Sequence, residues 1–290
     1  MQDLVFQPSI VRAKQMPTKE SLSVHYRQYF QTNSIYSQSE RPEEIRYRQT
    51  MAIAKLAMIS QVSPKPLSES CLLEIGYGQG DFLAAAQKQC KAVQGFDFSL
   101  EALRPENNHL RKLCVEGNPD DLLRSAISSG KTYDHINATH VLEHSSEPAE
   151  LIQLLAGLLS VGGLLIVEIP NDFSPLQKKL TDTGLVDEEY WVSMPDHLCY
   201  WNKQRFQQFI SDNGLSIIDA FGDFPIELFL LTNDFNYKQL RHLGKPAHLA
   251  RCLISEYVVE NVPIQELLNL ARSLYACDLS RSYTYVLERS

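Results

Sequence analysis

The stretch 72–83, which reads LLEIGYGQGDFL, constrains the fold of this chain more than any other part of it. A short apolar run ends at Glu74, three glycines follow at alternate positions, and Asp81 opens a segment with the composition of a helix. A strand that passes through a glycine-rich turn into a helix is the opening unit of an open α/β fold. Glycine is needed in such a turn because the backbone bends sharply and a ligand must lie against it without an intervening Cβ.

The spacing of Gly76, Gly78 and Gly80 indicates which ligand the turn accepts. A dinucleotide fingerprint has the form G-x-G-x-x-G and binds a pyrophosphate at the helix N-terminus. Here the form is G-x-G-x-G, and Glu74 stands two residues before the first glycine. S-adenosylmethionine (SAM) has no phosphate but carries a sulfonium and an ammonium. An acid at the strand end suits the ammonium better than it would suit a pyrophosphate. The loop therefore favours SAM, and an NAD-dependent oxidoreductase is the alternative.

Polar residues also end the strands predicted after the loop. Asp97 closes the second predicted strand about 20 residues further on, where an acid can accept both ribose hydroxyls of a nucleotide. A third strand ends at Gly117 and Asn118, and residues 133–172 predict a fourth strand, a helix, a Gly-Gly turn and a fifth strand. Such alternation of strands and helices indicates a right-handed parallel sheet.

The order and spacing of these motifs resemble the Methyltransf_23 and ubiquinone-biosynthesis O-methyltransferase pattern of the class I SAM-dependent methyltransferases. The shared features are E-x-G-x-G-x-G at 74–80, VLEH after the fourth strand and GG before the fifth. The resemblance covers residues 72–218. It implies SAM as cofactor and an α/β fold with a doubly wound, mostly parallel seven-stranded sheet, in which an antiparallel last strand lies between strands five and six. The cofactor site that it implies consists of Glu74, Gly76, Gly78, Gly80, Asp97, Phe98, Asn118, Pro119, Thr139 and His140.

The remaining segments predict additions to this core. We expect an N-terminal helical cap over residues 1–66, with a helix from Arg41 that lies over the cofactor or packs on the sheet edge, and a methyltransferase domain over 67–290. Two insertions are predicted, at 171–201 and, mostly helical, at 225–281. Because the first leaves the carboxyl end of strand five, where ligands of such sheets bind, we expect the two insertions to form the acceptor pocket. Residues 224–237 resemble an extension in methyltransferases of surface-polysaccharide gene clusters.

The composition limits the kinds of binding partner and the cellular location that we expect for this protein. The chain has 27 basic and 35 acidic residues and a net charge of −8, a balance that disfavours a nucleic-acid surface. Its six cysteines include no C-x-x-C pair, and neither a signal peptide nor an apolar run long enough to span a bilayer is evident. We therefore expect a cytoplasmic protein with a small-molecule partner and no membrane span. The oligomeric state stays open.

Histidines are the candidates for catalysis, because a hydroxyl acceptor needs a base near neutral pH. His140, His144 and His197 are expected near the methyl group, and we predict His197 as the base first and His144 second. His140, Glu143 and His144 also form H-x-x-E-H, to which divalent metal has been linked in the ubiquinone O-methyltransferases that this segment resembles. At a strand end these side chains do not share one face as they would on a helix, so we predict no metal site.

The predicted reaction is transfer of a methyl group from SAM to a small-molecule acceptor, chiefly a hydroxyl of a sugar or related metabolite. The alternatives are a non-catalytic SAM-binding protein, which would keep the glycine loop and Asp97, and the NAD-dependent oxidoreductase. Whether the methyl group goes to oxygen, nitrogen or carbon does not follow from the sequence.

Overall fold

The computed structural model describes residues 3–18, 21–22, 24–25, 41–187 and 189–290. Within these ranges the strands are β1 Leu4–Phe6, β2 Val11–Ala13, β3 Cys71–Ile75, β4 Ala92–Asp97, β5 Cys114–Glu116, β6 Tyr133–Thr139, β7 Leu159–Pro170, β8 Cys199–Tyr200, β9 Leu215–Gly222 and β10 Ser282–Arg289. The α-helices are α1 Pro42–Val62, α2 Asp81–Gln87, α3 Pro119–Ser128, α4 Pro148–Gly157, α5 Pro175–Asp182, α6 Lys203–Asp212, α7 Gly244–Asn261 and α8 Ile264–Ala276. Short 3₁₀ helices cover Leu67–Glu69, Leu100–Ala102, Pro105–Leu113, Leu142–His144, Ile226–Leu231 and Arg241–Leu243.

The main sheet has the strand order β5-β4-β3-β6-β7-β10-β9. The pairs from β5 through β7 are parallel, and β10 is antiparallel to both of its neighbours. The predicted seven-stranded, mostly parallel sheet with an antiparallel last strand between the fifth and sixth is therefore confirmed. The strand order reverses between β3 and β6, and at such a switch point the crevice beyond the strand ends binds ligands.

Helices cover both faces of the sheet, and strand alternation supplies both layers of the core. On β3, Leu73 points into the layer that contains α3, α4 and α6, whereas Leu72 packs in the layer of α1, α2 and α8. On β7, Leu165 and Ile166 alternate in the same way. A strand that is apolar on both sides is the mark of a central strand in a parallel sheet.

The N-terminal region is only partly the predicted helical cap. α1 begins at Pro42 with Glu43 and Glu44 in its first turn, as expected from the helix dipole. Before it, β1 and β2 are strands, which corrects the expectation of a helical segment there, and they form an antiparallel sheet with β8. Pairing with the distant β8 outweighs the weak local preference of these short segments. Residues 26–40 of the predicted cap lie outside the described residues, and a domain boundary near 66 stays a prediction.

The two predicted insertions have different structures. Residues 171–201 contain α5 and β8, and residues 225–281 contain α7 and α8, so the second is mostly helical as predicted. Within the described ranges, no helix combines the length and the apolar composition that crossing a bilayer requires.

Candidate active site

A cavity of about 600 Å³ lies at the carboxyl ends of β3, β4 and β6. This is the place where ligands of an open α/β sheet bind. All ten residues predicted for the cofactor site line it: Glu74, Gly76, Gly78, Gly80, Asp97, Phe98, Asn118, Pro119, Thr139 and His140. The structure thus brings the predicted set together, and the contact that each residue makes to the cofactor stays a prediction.

The glycine loop has a backbone that other residues rarely adopt. The angle φ is +67° at Gly76, +49° at Gly78 and +81° at Gly80. A Cβ added at Gly76 would lie 2.8 Å from Val141 Cγ2, and one added at Gly80 would lie 2.7 Å from Leu103 Cδ2. Conformation and packing therefore both require glycine in the turn that lines the cavity.

Asp97 is buried at the end of β4 and held by the backbone. Its carboxylate accepts hydrogen bonds from the N–H groups of Gly78, at 3.0 Å, and Ser99, at 3.3 Å. Burial raises the pKa of Asp97 to about 6, although these N–H donors act in the opposite direction. The carboxylate is therefore fixed in place at the strand end where ribose hydroxyls bind in such folds.

Glu74 is buried, and only one of its two carboxylate oxygens has a hydrogen-bond partner among the described residues. Its Oε1 accepts a hydrogen bond from Asn137 Nδ2 at 3.2 Å, whereas Oε2 has no hydrogen-bond partner among the described residues. Burial raises the pKa of Glu74 well above its usual range, and Lys55 and Asn137 offset only part of this effect. A buried carboxylate oxygen needs a donor. The ammonium of SAM carries N–H donors and a positive charge, so this side chain fits the predicted cofactor.

His140 follows β6 with a φ of +53° and bridges two acids. Its Nδ1 lies 2.8 Å from Glu143 Oε1, and its Nε2 lies 3.4 Å from Glu168 Oε1. Burial acts to lower the pKa of His140, but the two carboxylates outweigh it and hold that pKa well above its usual range. The ring is therefore a cation with two donors at neutral pH, which cannot serve as a base.

Helix α1 covers the cavity. Lys55 Nζ donates a hydrogen bond to Thr139 Oγ1 at 2.8 Å and forms an ion pair with Glu168. Burial acts to raise the pKa of Glu168, yet Lys55 and His140 hold it below its usual range. Further α1 residues in the lining are Tyr47, Arg48, Met51, Ala52, Ala54 and Met58. Of the two expectations for this helix, the structure therefore supports a position over the site.

His144 lines the cavity beside His140. Its Nδ1 lies 2.8 Å from the backbone carbonyl oxygen of Asp196. Because a carbonyl oxygen only accepts hydrogen bonds, Nδ1 carries the proton in the neutral ring and Nε2 is the unprotonated nitrogen. This tautomer has the lone pair that a general base requires.

His197, the first choice from sequence, packs beside His144 and does not belong to the described cavity lining. The two rings meet edge to face, with centroids 5.0 Å apart. Burial lowers the pKa of His197 to about 4, although Glu143 acts to raise it, so the ring is neutral at neutral pH. The residue before it, Asp196, has its carboxylate 3.4 Å from Nε2 of His25. The structure thus gives His197 a place next to the candidate base.

Glu143, His144 and His197 form a group that could hold a metal ion, with one ligand atom from each within 4.8 Å of the others. Glu143 is buried, and its Oε2 has no hydrogen-bond partner in the part of the chain that the structure describes. Imidazole and carboxylate ligands suit several divalent ions. The group differs from the H-x-x-E-H motif because His197 takes the place of His140.

A second part of the lining comes from β7, β9, β10 and α7, with Glu168, Phe221, Gly222, Asp223, Arg251, Ser282 and Thr284. Burial raises the pKa of Asp223 to about 6 against a hydrogen bond from the backbone N–H of Ser282. Arg251 is the contribution of residues 225–281, whereas no described residue of 171–201 reaches the lining. The first insertion instead supports His144 through Asp196.

The chain is similar in sequence to known methyltransferases. The Methyltransf_23 family, described as a methyltransferase domain, matches residues 44–220. The ubiquinone biosynthesis O-methyltransferase of Colwellia psychrerythraea is 26% identical over 160 residues, which are 52% of this chain and 63% of that protein. The protein of the same name from Nitrosomonas europaea is 30% identical over 110 residues, 36% of this chain and 46% of the relative. The chain therefore covers less than two thirds of the length of these relatives.

Solved structures show the same fold. A SAM-dependent methyltransferase from Archaeoglobus fulgidus aligns with a TM-score of 0.51 at 16% identity and covers 85% of this chain and 97% of its own. The plantazolicin methyltransferase BamL aligns with a TM-score of 0.50 at 15% identity, over 92% of this chain and 95% of its own. At such identities the likeness is one of architecture.

Proposed function

Because the chain belongs to the Methyltransf_23 family of methyltransferase domains, which matches residues 44–220, we propose that it methylates a hydroxyl group of a small-molecule acceptor with His144 as the base. The family match confirms the prediction of a SAM-dependent methyltransferase and the preference for SAM over a nicotinamide dinucleotide. The acceptor group and the role of each residue are what we propose beyond this.

The observation that carries the proposal is the hydrogen bond from His144 Nδ1 to the carbonyl oxygen of Asp196, at 2.8 Å. SAM supplies a methyl group on a sulfonium, which is already activated for displacement. Glu74 and Asp97 would hold the cofactor at its ammonium and ribose, while His144 Nε2 takes the proton of the acceptor hydroxyl. The main remaining requirement is alignment of the acceptor oxygen, to which the α1 residues that line the cavity would contribute.

The name of the relatives supports oxygen as the acceptor atom, since both are O-methyltransferases of ubiquinone biosynthesis. A hydroxyl of a sugar or related metabolite, as expected from the sequence, is the first candidate. A hydroxyl of a ubiquinone precursor, which the names of the relatives suggest, is the second candidate. The net charge of −8 supports a partner other than nucleic acid, and we further propose a cytoplasmic location.

The proposal is tested by incubating the protein with methyl-labelled SAM and an extract of the source cell. The labelled product should be separated into a polar fraction and a fraction soluble in organic solvent, which distinguishes sugars from quinone precursors. Its linkage is then identified by NMR as a methyl ether. A protein that binds SAM but labels neither fraction would instead support the non-catalytic alternative.

A metal ion at Glu143, His144 and His197 would give a different mechanism, since bound metal lowers the pKa of a hydroxyl directly. The two mechanisms are distinguished by measuring turnover before and after treatment with a chelator. The chelated protein is then titrated with Mg²⁺, Mn²⁺ and Zn²⁺. Full turnover in metal-free protein supports His144 as the base. Turnover that depends on an added ion would replace it by the metal.

A further inference from the structure

The outer side of α7 is apolar although it faces away from the protein. Leu249, Leu253 and Tyr257 recur at every fourth position, so they form one row along the helix. All three are exposed, Leu253 by 52% and Tyr257 by 63%, and Ile254 beside them is exposed as well. A single exposed apolar side chain is ordinary, whereas a row of them on one helix indicates an interaction surface.

Neighbouring segments extend this surface. The short helix Ile226–Leu231 packs against α7 and exposes Leu228 and Leu231. The connection that follows exposes Phe235, by 62%, and Leu240. We call these residues together the apolar face: Leu228, Leu231, Phe235, Leu240, Leu249, Leu253, Ile254 and Tyr257.

The sequence around the apolar face is basic within an acidic chain. Residues 228–257, which span the apolar face, contain four basic residues, Lys238, Arg241, Lys245 and Arg251, against two acids, the exposed Asp234 and the buried Glu256, whereas the chain as a whole has a net charge of −8. Lys238, Arg241 and Lys245 are exposed. The positive charge therefore accompanies the exposed apolar side chains on the same stretch of chain.

We propose that the apolar face docks on the surface of a membrane that contains anionic lipids. Exposed Leu and aromatic side chains beside Lys and Arg are the features by which interfacial helices bind such surfaces. Each basic residue near the surface adds attraction to anionic headgroups. No described helix could span the bilayer, so the protein would lie on it.

Charge also argues against a second copy of the chain as the occupant. In a two-fold interface the same surface meets itself, so the positive charges of Arg241 and Lys245 would be brought close to the same charges on the second copy. Like charges placed together disfavour association. Helix α7 also contributes Arg251 to the active-site cavity, so a membrane on its outer side would lie across one helix from the site.

The test is sedimentation of the full chain with vesicles of phosphatidylcholine alone and with vesicles that also contain phosphatidylglycerol. We expect binding to the second kind and its loss at high salt. The variant Arg241→Gln/Lys245→Gln should bind about 25-fold more weakly, about fivefold for each charge removed. The variant Leu253→Gln/Tyr257→Ser should bind at least about tenfold more weakly.

Matched controls are available elsewhere on the surface. Lys112→Gln/Lys131→Gln makes the same change in net charge, and Val161→Gln replaces an apolar side chain that is 99% exposed. Both should bind vesicles as the wild type does, and SAM titration should give the same affinity for every variant. Absence of vesicle binding in the wild type, or equal loss in the controls, would overturn the proposal. So would a wild-type dimer that Leu253→Gln/Tyr257→Ser converts to a monomer, because the face would then bind a second copy.

Discussion

His144 Nδ1 donates a hydrogen bond to the backbone carbonyl oxygen of Asp196 at 2.8 Å, and this contact joins the turn after β6 to the insertion after β7. It sets the tautomer of a histidine that lines the cavity. In the same insertion, the backbone N–H of Leu198 donates a hydrogen bond to the backbone carbonyl oxygen of Glu143 at 2.7 Å. The first insertion thus orients His144. The sequence predicted it as part of the acceptor pocket, but none of its described residues lines the cavity.

Replacement of His144 tests the assignment of the base. His144→Asn should lower turnover by roughly 10²–10⁴-fold, because the proton acceptor is lost, while the Kd for SAM stays unchanged. His197→Ala should have a smaller effect, since that ring lies beside His144. The exposed His242 gives the control, as His242→Asn should leave turnover unaffected. If His197→Ala instead causes the larger loss, His197 is the base, as the sequence first indicated.

Binding of SAM should depend on pH through Asp97. Burial raises the pKa of this carboxyl to about 6 in the cofactor-free protein, so below pH 6 it is protonated and must release its proton to accept ribose hydroxyls. The affinity for SAM, measured by calorimetry, should therefore fall by up to about tenfold for each pH unit below 6. Asp97→Ala should weaken binding at neutral pH by roughly 2–5 kcal/mol and remove this dependence. Wild-type affinity that is constant from pH 7 to 5 would contradict the prediction, as would a fully retained affinity in Asp97→Ala.

The ion pair between Lys55 and Glu168 should stabilise the position of α1 over the cavity. Lys55→Met leaves Glu168 largely buried with His140 and the hydroxyl of Thr284 as its remaining described partners. We expect a loss of about 2–3 kcal/mol in the free energy of unfolding, below the full cost of breaking a fully buried pair, because both side chains retain some exposure. Urea unfolding measures this change. In the double variant Lys55→Met/Glu168→Gln the loss should be smaller than in Lys55→Met alone, and a loss at least as large would show that the pair does not interact as described.

Gly80 should be required for stability as well as for binding. Its φ of +81° and the 2.7 Å approach of Leu103 Cδ2 to an added Cβ both penalise Gly80→Ala. We expect a loss of about 2–4 kcal/mol in the free energy of unfolding, of which roughly 1 kcal/mol comes from the backbone conformation. Gly130→Ala separates the two causes, because Gly130 has a φ of +71° with nothing within 4 Å of an added Cβ. Equal losses in the two variants would show that the contact with Leu103 has no effect.

Local patterns explain what the sequence predicted well. The glycine loop, Asp97 and the polar residues at strand ends follow one another along the chain, and the parallel sheet brings them to one edge. The sheet of β1, β2 and β8 was not predicted, since its strands have two or three residues and β8 pairs with β2 across most of the chain. Short strands of this kind carry no readable period.

The Lys55–Glu168 pair was missed for a similar reason, because the partners are far apart in sequence. A signal for each was nevertheless present. Lys55 interrupts the apolar stretch MAIAKLAMI, and Glu168 interrupts the apolar fifth strand. A charged residue within an apolar run is seldom buried without a partner, so the two positions could have been marked as candidates for the site.

Stability at acid pH should depend on His135, which is buried on β6 with its Nε2 2.8 Å from Ser63 Oγ. Burial lowers the pKa of His135 to about 4, below the value of about 6.5 for an unfolded chain. Between these values the unfolded state binds the proton and the folded state does not, so stability is lost as the pH falls from about 6.5 to about 4. His135→Gln removes this titration. Relative to the wild type, its free energy of unfolding should therefore rise by about 2–3 kcal/mol between pH 7 and pH 4.5, as urea unfolding would measure. His109→Gln, at an exposed histidine, is the matched control. A difference between His135→Gln and the wild type that does not change with pH would show that His135 is not the buried neutral group described here.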